Sequence, residues 1–286
     1  MNTDWLRYFV ALAETLNLQQ AADRLHVTPQ AVSKALGGLE EQFKLKLVER
    51  AHRIQGLTPA GEALLEEART ILTDLENIDR RLAEWKAGAV QGPVRIAGDG
   101  LWHQHLLPPL LTELLGRYPK LRPKLHEMLP EDVEHWVSVG EVDVGLLLRA
   151  PGHEGLDWVA GLATPYVIVG KPRPEGQVPW QDLGYIVPRF FRREFPMSLD
   201  GWPEGKFKRR IVAEVELLEM AIQLCEAGLG VAFLPELAVR ARIEAGALAV
   251  VAEAPVTFED QLFVVWRKGV RPTPAAREVL KALGAL

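Results

Sequence analysis

The sequence predicts two folded parts, an all-α N-terminal module containing a helix-turn-helix and a C-terminal α/β domain, joined by one long helix. Three observations carry this. Short helical runs separated by turn signals fill residues 4–42. Residues 59–87 hold no helix breaker after Gly61. From Val94 onward, short apolar runs alternate with amphipathic helical ones. A chain of 286 residues suits two domains, one of them small, and 48% hydrophobic content allows a sizeable core.

Composition excludes several classes. No run approaches the ~18 consecutive apolar residues of a membrane span, so no membrane partner is expected. Met1-Asn2-Thr3-Asp4-Trp5 lacks the basic start and apolar stretch of a signal segment, which places the protein in the cytoplasm. Cys225 is the only cysteine, so an internal disulfide or a cysteine metal cluster is excluded. The net charge of −5 divides unevenly: seven Lys and Arg against six Asp and Glu leave +1 over residues 1–58, and −6 beyond. A charge of +1 does not announce nucleic-acid binding, so that case rests on placement.

Trp5, Phe9, Leu12 and Ala13 recur at helical spacing, and with Thr3 as N-cap they predict a helix over 4–15. A short helix follows over 19–25, where Ala21 and Ala22 are small enough for another helix to cross closely. His26-Val27-Thr28 makes a tight turn, Thr28 caps the next helix, and Pro29 takes its first position, where a missing N–H costs nothing. That helix runs to about residue 42 with Val32, Leu36 and Leu39 inward, which completes a helix-turn-helix. Its outward face carries Thr28, Gln30, Ser33 and Lys34 at the end that enters the major groove in this motif. Gln30 suits an adenine, and Lys34 a guanine or a phosphate. Gln19 and Gln20, with free amides at their helix start, suit a phosphate. A solvated helix face would carry similar residues.

Along 59–87, Gly61, Leu64, Ala68, Ile71, Leu75, Ile78, Leu82 and Trp85 alternate in steps of three and four. That is a heptad seam, and a helix of this length spans roughly 40 Å. So narrow a stripe on so long a helix calls for a partner helix, so Leu64, Ala68, Ile71, Leu75, Ile78, Leu82 and Trp85 are the expected contacts between two subunits. Ala87 to Pro93 is small and breaker-rich and is read as a hinge.

Beyond it, strands are expected at 94–98, 123–128, 142–148, 166–170, 186–187, 210–215, 230–234 and 261–266. Helices are expected at 101–118, 131–139, 216–227, 235–245 and 274–283. The order βαβαβ with apolar strands argues a mostly parallel sheet covered on both faces.

The run Ala21-Ala22-Asp23-Arg24-Leu25, Thr28-Pro29-Gln30-Ala31-Val32-Ser33-Lys34 and Leu39-Glu40, with the later Leu57-Thr58-Pro59-Ala60-Gly61, resembles the LysR-type transcriptional regulators. Leu106-Leu107-Pro108 with Tyr118-Pro119, Gly140-Glu141-Val142-Asp143 and Gly228 to Pro235 extend the resemblance over essentially the whole chain. It implies a winged helix-turn-helix DNA-binding domain at 1–58, with a wing at about 47–57 bringing Arg50 and Arg53 near the DNA backbone. A dimerisation linker helix follows at 59–87 and a hinge at 88–93. The remainder, 94–286, would be a two-lobed effector domain shaped like periplasmic binding proteins, with lobe I at about 94–163 and 268–286 and lobe II at about 164–267. The implied partners are double-stranded DNA carrying an interrupted inverted repeat, a small-molecule effector, a second copy of the chain, a homotetramer as a further assembly, and RNA polymerase. Three pairs depart from the family pattern: Asn17-Leu18, Phe43-Lys44 and Leu47-Val48. They leave the fold unchanged but put the path of the wing in question.

Open α/β sheets bind ligands at the carboxyl ends of their strands. The candidates are therefore Asp99, Gly100, Leu101, Trp102 and His103 after the first strand, Arg149 after the third, and Arg189, Phe190, Glu214 and Gly228 from the second lobe. A helix N-terminus at the first loop, with Arg149 and Arg189, favours an anion. Asp99 opposes this and favours a cationic or amine-bearing ligand. The sequence leaves the effector's charge open.

No catalytic residues are assigned and no cofactor is expected. There is no Gly-x-Ser-x-Gly elbow, no phosphate-binding loop and no strand-linked Gly-x-Gly-x-x-Gly opening the domain. His103 and His105 stand two apart, so a helix puts them on different faces and no metal site is assigned. An α/β enzyme or other ligand-binding protein with a helical N-terminal module is the alternative reading.

Overall fold

The computed structural model describes residues 2–50, 54–87, 90–173, 176–192, 195–198 and 200–286, and of residues 80, 81, 83–87, 190–192 and 195–198 the backbone alone. The N-terminal module holds α1 (Thr3–Thr15), α2 (Leu18–Leu25) and α3 (Pro29–Phe43). Each begins at a side-chain cap that satisfies otherwise unpaired N–H groups. At α1 the cap is Asn2, whose Oδ1 accepts from the Asp4 amide at 2.8 Å, rather than Thr3, which lies inside the helix. Leu16, His26 and Lys44 end the helices in the left-handed region, with φ of 49°, 54° and 56°. Leu6, Phe9 and Leu12 of α1, Ala21 and Ala22 of α2 and Val32, Leu36 and Leu39 of α3 close one core. Burying each large side chain there contributes roughly 1.5–3 kcal/mol.

The wing is an antiparallel pair, β1 (Val48–Arg50) and β2 (Ile54–Leu57), with Val48 opposite Leu57. Leu47 and Val48 are both buried, so the departure at this pair keeps an apolar anchor under the wing. The long helix α4 (Pro59–Ala87) starts at Thr58, whose hydroxyl donates to the Lys46 carbonyl at 2.6 Å and accepts from the Gly61 amide at 3.1 Å. A Cβ at Gly61 would run into the Leu47 carbonyl, so only glycine lets helix and wing approach this closely.

The expected seam of α4 divides into two uses. Ala68 is fully buried, and Leu64 and Ile71 pack beside it against the core of the N-terminal module. Ala68 is therefore spent within one chain, against its reading as a subunit contact, whereas Leu64 and Ile71 are only partly covered where α1 lies along this half of α4. Farther along, Ile78 is 49% and Leu82 62% exposed, so the seam opens to solvent there. The side chain of Trp85 lies outside the described residues.

The C-terminal domain begins with β3 (Gly92–Gly98), a π-helical turn Trp102–Leu106 and α5 (Leu107–Arg117), then β4 (Leu121–Glu127), α6 (Pro130–Ser138) and β5 (Val144–Leu147). The single helix expected from 101 thus runs on to 117 but carries a π turn near its start. Pro108 and Pro109 have no N–H to give the preceding turn, and the Leu107 amide reaches back five residues to Trp102 O instead. Next come β6 (Leu156–Gly170), β7 (Gly184–Arg192), β8 (Phe195–Ser198), β9 (Arg210–Val215), α7 (Leu218–Glu226), β10 (Ala232–Pro235) and α8 (Glu236–Glu244). The chain closes with β11 (Ala249–Ala252), β12 (Glu259–Arg267) and α9 (Pro274–Ala282).

The main sheet has the order β10-β6-β12-β5-β3-β4, with β11 also on β6. Strand β3 is parallel to β4 and β5, as the βαβαβ pattern requires, whereas β12 is antiparallel to both β5 and β6. A second sheet, β8-β7-β9, supports the other lobe. Two long strands join the lobes. β6 pairs with β12 over its first half and with β10 and β11 near its end. Phe263 to Val265 of β12 pair with β5, so these residues belong to the first lobe's sheet, not to a second lobe running to 267. The first half of β6 had no strand signal, because Gly161 and Pro165 interrupt a weakly alternating pattern.

Candidate DNA-reading face and effector cleft

Gln30, Ser33 and Lys34 stand three and four positions apart near the start of α3, on one exposed face. Thr28 holds that end by accepting from the Ala31 amide at 3.2 Å, with Pro29 in the first turn. The side chains of Gln30, Ser33 and Lys34 have no partner among the described residues. They are free to meet base edges. Gln19 and Gln20 differ from expectation: their amides already donate to Asn17 Oδ1 at 2.9 and 3.1 Å, and the Gln19 side chain donates to Asp23 at 2.8 Å. The backbone amides at this helix start are thus taken, while the exposed Gln20 side chain keeps its amide group unpaired among the described residues. Arg50 is exposed on the wing, and Arg53 lies outside the described residues.

Between the lobes lies a cleft of about 190 Å³. Asp99, Gly100 and Leu101 reach it from the end of β3, Glu127 from the end of β4 and Leu148 from the end of β5. The second lobe supplies Asp200, Glu216 and Glu219, and Phe233, Leu234 and Pro235 form an apolar wall. Tyr166 and Asp260 enter from the two joining strands.

Six carboxylates line this space, and no Lys, Arg or His does. Two are answered from behind: Arg209 donates to Asp200 at 2.6 Å and Arg242 to Glu219 at 2.6 Å. Asp99, Glu127, Glu216 and Asp260 have no ion pair among the described residues. Burial pushes the Asp260 carboxyl above its usual range; the hydrogen bond from Tyr166 Oη, at 2.7 Å, opposes this and the Asp99 charge adds to it. Tyr166 is held far above its ordinary range by burial and by the same Asp260 charge.

This architecture is matched by known proteins. Residues 87–286 fit the model of the LysR substrate binding domain, and residues 3–62 that of the bacterial regulatory helix-turn-helix protein, lysR family. The chain belongs to the LysR family. It is a transcriptional regulator with a helix-turn-helix DNA-binding domain and an effector-binding domain. It is 31% identical over 243 residues to the HTH-type transcriptional regulator ClcR of Pseudomonas putida, covering 81% of each chain. It is 30% identical over 293 residues to YofA of Bacillus velezensis, covering 100% of this chain and 99% of that one. Full-length CbnR complexed with its target DNA superposes with a TM-score of 0.66 at 25% identity, covering 99% of both chains.

Within this LysR-type regulator the other expected effector residues lie elsewhere. Trp102 is fully buried in the core beneath the cleft. His103 Nδ1 lies 3.2 Å from the Asp99 carbonyl, and its Nε2 is buried without a hydrogen bond. Arg149 turns outward to Glu134 at 2.9 Å and Glu131 at 3.5 Å on α6. Arg189 pairs with Glu214 at 3.0 Å, and neither lines the cleft. Gly228 takes φ of +83° just after α7, where it ends the helix instead of facing ligand. The side chain of Phe190 lies outside the described residues. At the first loop, Asp99 Oδ1 accepts from the Leu101 amide at 2.8 Å, so the helix start expected to draw an anion already holds a carboxylate. No helix among the described residues is long and apolar enough to cross a membrane.

Proposed function

We propose that this LysR-type regulator reads operator DNA through Gln30, Ser33 and Lys34, and that its effector is an organic cation bound between the lobes. The carrying observation is the cleft lined by six carboxylates and no cation. The Asp99 charge bears on Asp260, and an ammonium or guanidinium bound between them removes that repulsion. At about 4 Å near a protein surface, one such contact is worth roughly 4 kcal/mol before desolvation. The apolar wall of Phe233, Leu234 and Pro235 suits an aliphatic stem. A metal ion fits less well: among the described residues no three His, Cys, Asp or Glu side chains converge as ligands.

The chain acts as a binding protein rather than an enzyme. Two copies pair through the open end of α4, around Leu75, Ile78 and Leu82, and set two recognition helices on an interrupted inverted repeat.

The test is a thermal-shift comparison of two five-carbon probes, 1,5-diaminopentane and glutarate. A ligand that binds only the folded state raises the melting temperature. The diamine is expected to raise it and glutarate to leave it unchanged. Stabilisation by glutarate alone would overturn the ligand class.

A further inference from the structure

Strand β4 ends the main sheet, and no strand among the described residues pairs with its outer edge. Its inner edge is fixed to β3 from Gly92 opposite Leu121 to Gly98 opposite Glu127. The Gly92 amide also donates to the Lys120 carbonyl at 2.9 Å, which anchors the residue just before the strand. Alternation along a strand sends every second side chain to one face. On β4 that face carries Arg122, opposite Pro93, and Lys124, opposite Arg95. Lys120, Arg122 and Lys124 are exposed, and with Glu76 and Asn77 of α4 they line an open groove of about 800 Å³.

The three cations are unanswered. Arg95 beside them is held by Asp143 at 3.1 Å and lies 3.8 Å from Glu141. Lys120, Arg122 and Lys124 have no ion pair among the described residues, and residues 114–126 contain no Asp or Glu. Glu76 is the single carboxylate among the described residues that line the groove. This surplus stands in a part of the chain whose net charge is −6, whereas the reading module carries only +1. Salt screens exposed charges beyond about 10 Å, so distant acids do not cancel the stripe.

Side chains two residues apart on a strand stand about 6.6 Å apart. That is about twice the 3.4 Å rise between charges on one DNA strand. A small anion meets one or two such cations, and a polyanion of regular charge meets all three. DNA is the polyanion that this regulator binds. We propose that the β4 stripe is a second DNA contact, in which Lys120, Arg122 and Lys124 hold the phosphate backbone flanking the operator. The contact carries no sequence information and adds affinity and position only. Glu76 lies about 25 Å along α4 from Pro59 at 1.5 Å per residue, roughly the rise of seven base pairs at 3.4 Å each. The DNA at the stripe is therefore flank, outside the bases that α3 reads, and it arrives by bending toward the effector domain. The added phosphate contacts offset the cost of that bend.

The salt dependence of DNA binding by the full-length protein tests this. The probe is a duplex selected from randomised DNA by the wild-type protein. It is used once with flanks of about 20 base pairs, ample at 3.4 Å each, and once trimmed to the protected bases. Each phosphate contact adds about 0.9 to the slope of log K against log salt. Lys120→Ala/Arg122→Ala/Lys124→Ala is expected to lower the slope on the flanked duplex by about 2.7, so that raising salt from about 50 to 200 mM costs it about fortyfold less affinity than wild type. On the trimmed duplex its slope is expected to equal that of wild type. Lys120→Arg/Lys124→Arg, which keeps the charges, is expected to match wild type on both. The melting temperature checks folding, and single Ala variants, each lowering the slope by about 0.9, carry the test if the triple variant unfolds. Equal slopes for wild type and triple variant on the flanked duplex would overturn the proposal. So would an equal loss on both duplexes, which would place the cations at the recognised bases. Weakened dimers in sedimentation with the DNA slope unchanged would also overturn it, and would assign the stripe to an acidic face of a second copy.

Discussion

The reading face of α3 and the effector cleft are built by opposite means. The face comes from three side chains within five consecutive residues, exposed, without partners and backed by a closed apolar core. The cleft is assembled from strand ends in both lobes, and six carboxylates line it, with the Asp99 charge bearing on Asp260. On the proposed reading, a face of the first kind is ready before its partner arrives, so DNA would gain contacts without reorganising the protein. On the same reading, a cationic ligand would relieve the charge arrangement of the cleft, which is how a binding event gains leverage over shape.

The largest expected effect separates the two regions cleanly. Gln30→Ala/Ser33→Ala removes base-edge contacts worth roughly 1–3 kcal/mol for each good pair. Specific operator binding in a footprint or gel shift should fall by about a hundredfold or more, while thermal shifts by cleft ligands are unchanged. If the double variant still bound its operator with full affinity, α3 would not be the reading element.

Next in size is the brace under the face. Gly61→Val places a branched side chain against the Leu47 carbonyl and should destabilise the N-terminal module by about 2 kcal/mol or more, the scale of overpacking. Chemical denaturation would register this as a lowered midpoint, with diamine binding to the effector domain retained.

A smaller effect belongs to the effector domain alone. Burial holds the His105 ring below its ordinary pKa, with the Arg242 charge adding to this and the Glu219 charge opposing it. The unfolded chain therefore takes up this proton more readily than the folded one. Stability should be flat above about pH 6.5, the unperturbed histidine value, and fall as pH drops from there toward the lowered folded value. His105→Gln should flatten that slope in melting curves between pH 7 and 5. An equally steep slope in the variant would rule His105 out as its cause.

The smallest effect returns to the reading module. Lys44 ends α3 at φ of 56°, where glycine carries no Cβ penalty. Lys44→Gly should raise stability by about 0.5–1 kcal/mol in denaturant titration, leaving diamine binding unchanged.

Legibility in the sequence follows the same division. The reading module depends on local rules, namely caps, a proline in a first helical turn and apolar spacing, so the Thr28 cap and the exposed placement of Gln30, Ser33 and Lys34 emerge directly. The same locality explains the two misplaced caps: Asn2 stands one residue before the expected Thr3, and Asn17 stands two and three residues before Gln19 and Gln20, whose backbone amides it takes. Of the cleft, Asp99, Gly100 and Leu101 are legible because they follow the first parallel strand. Glu127 follows the same strand-end rule and could have been found by it.

Asp260 and Tyr166 could not be found that way. They sit on antiparallel strands, and β12 opens its N-terminal end to the cleft, where a rule about carboxyl ends does not apply. Arg149 misleads for a different reason. Its neighbours on α6, Glu131 and Glu134, capture it, and helix-to-strand contacts of that kind leave no local sequence mark. The seam of α4 likewise has one period but two environments, the chain's own core around Ala68 and an exposed stretch at Ile78 and Leu82, which spacing alone does not distinguish.

The central claim is that the cleft selects a cation through its unpaired carboxylates. Calorimetric titration of the full-length protein with 1,5-diaminopentane, in the wild type and in Asp260→Asn, tests it most directly. The account predicts binding by the wild type and at least about tenfold weaker binding by the variant, equivalent to 1.4 kcal/mol. Equal affinity in the two proteins, or a wild type that binds glutarate and ignores the diamine, would contradict it.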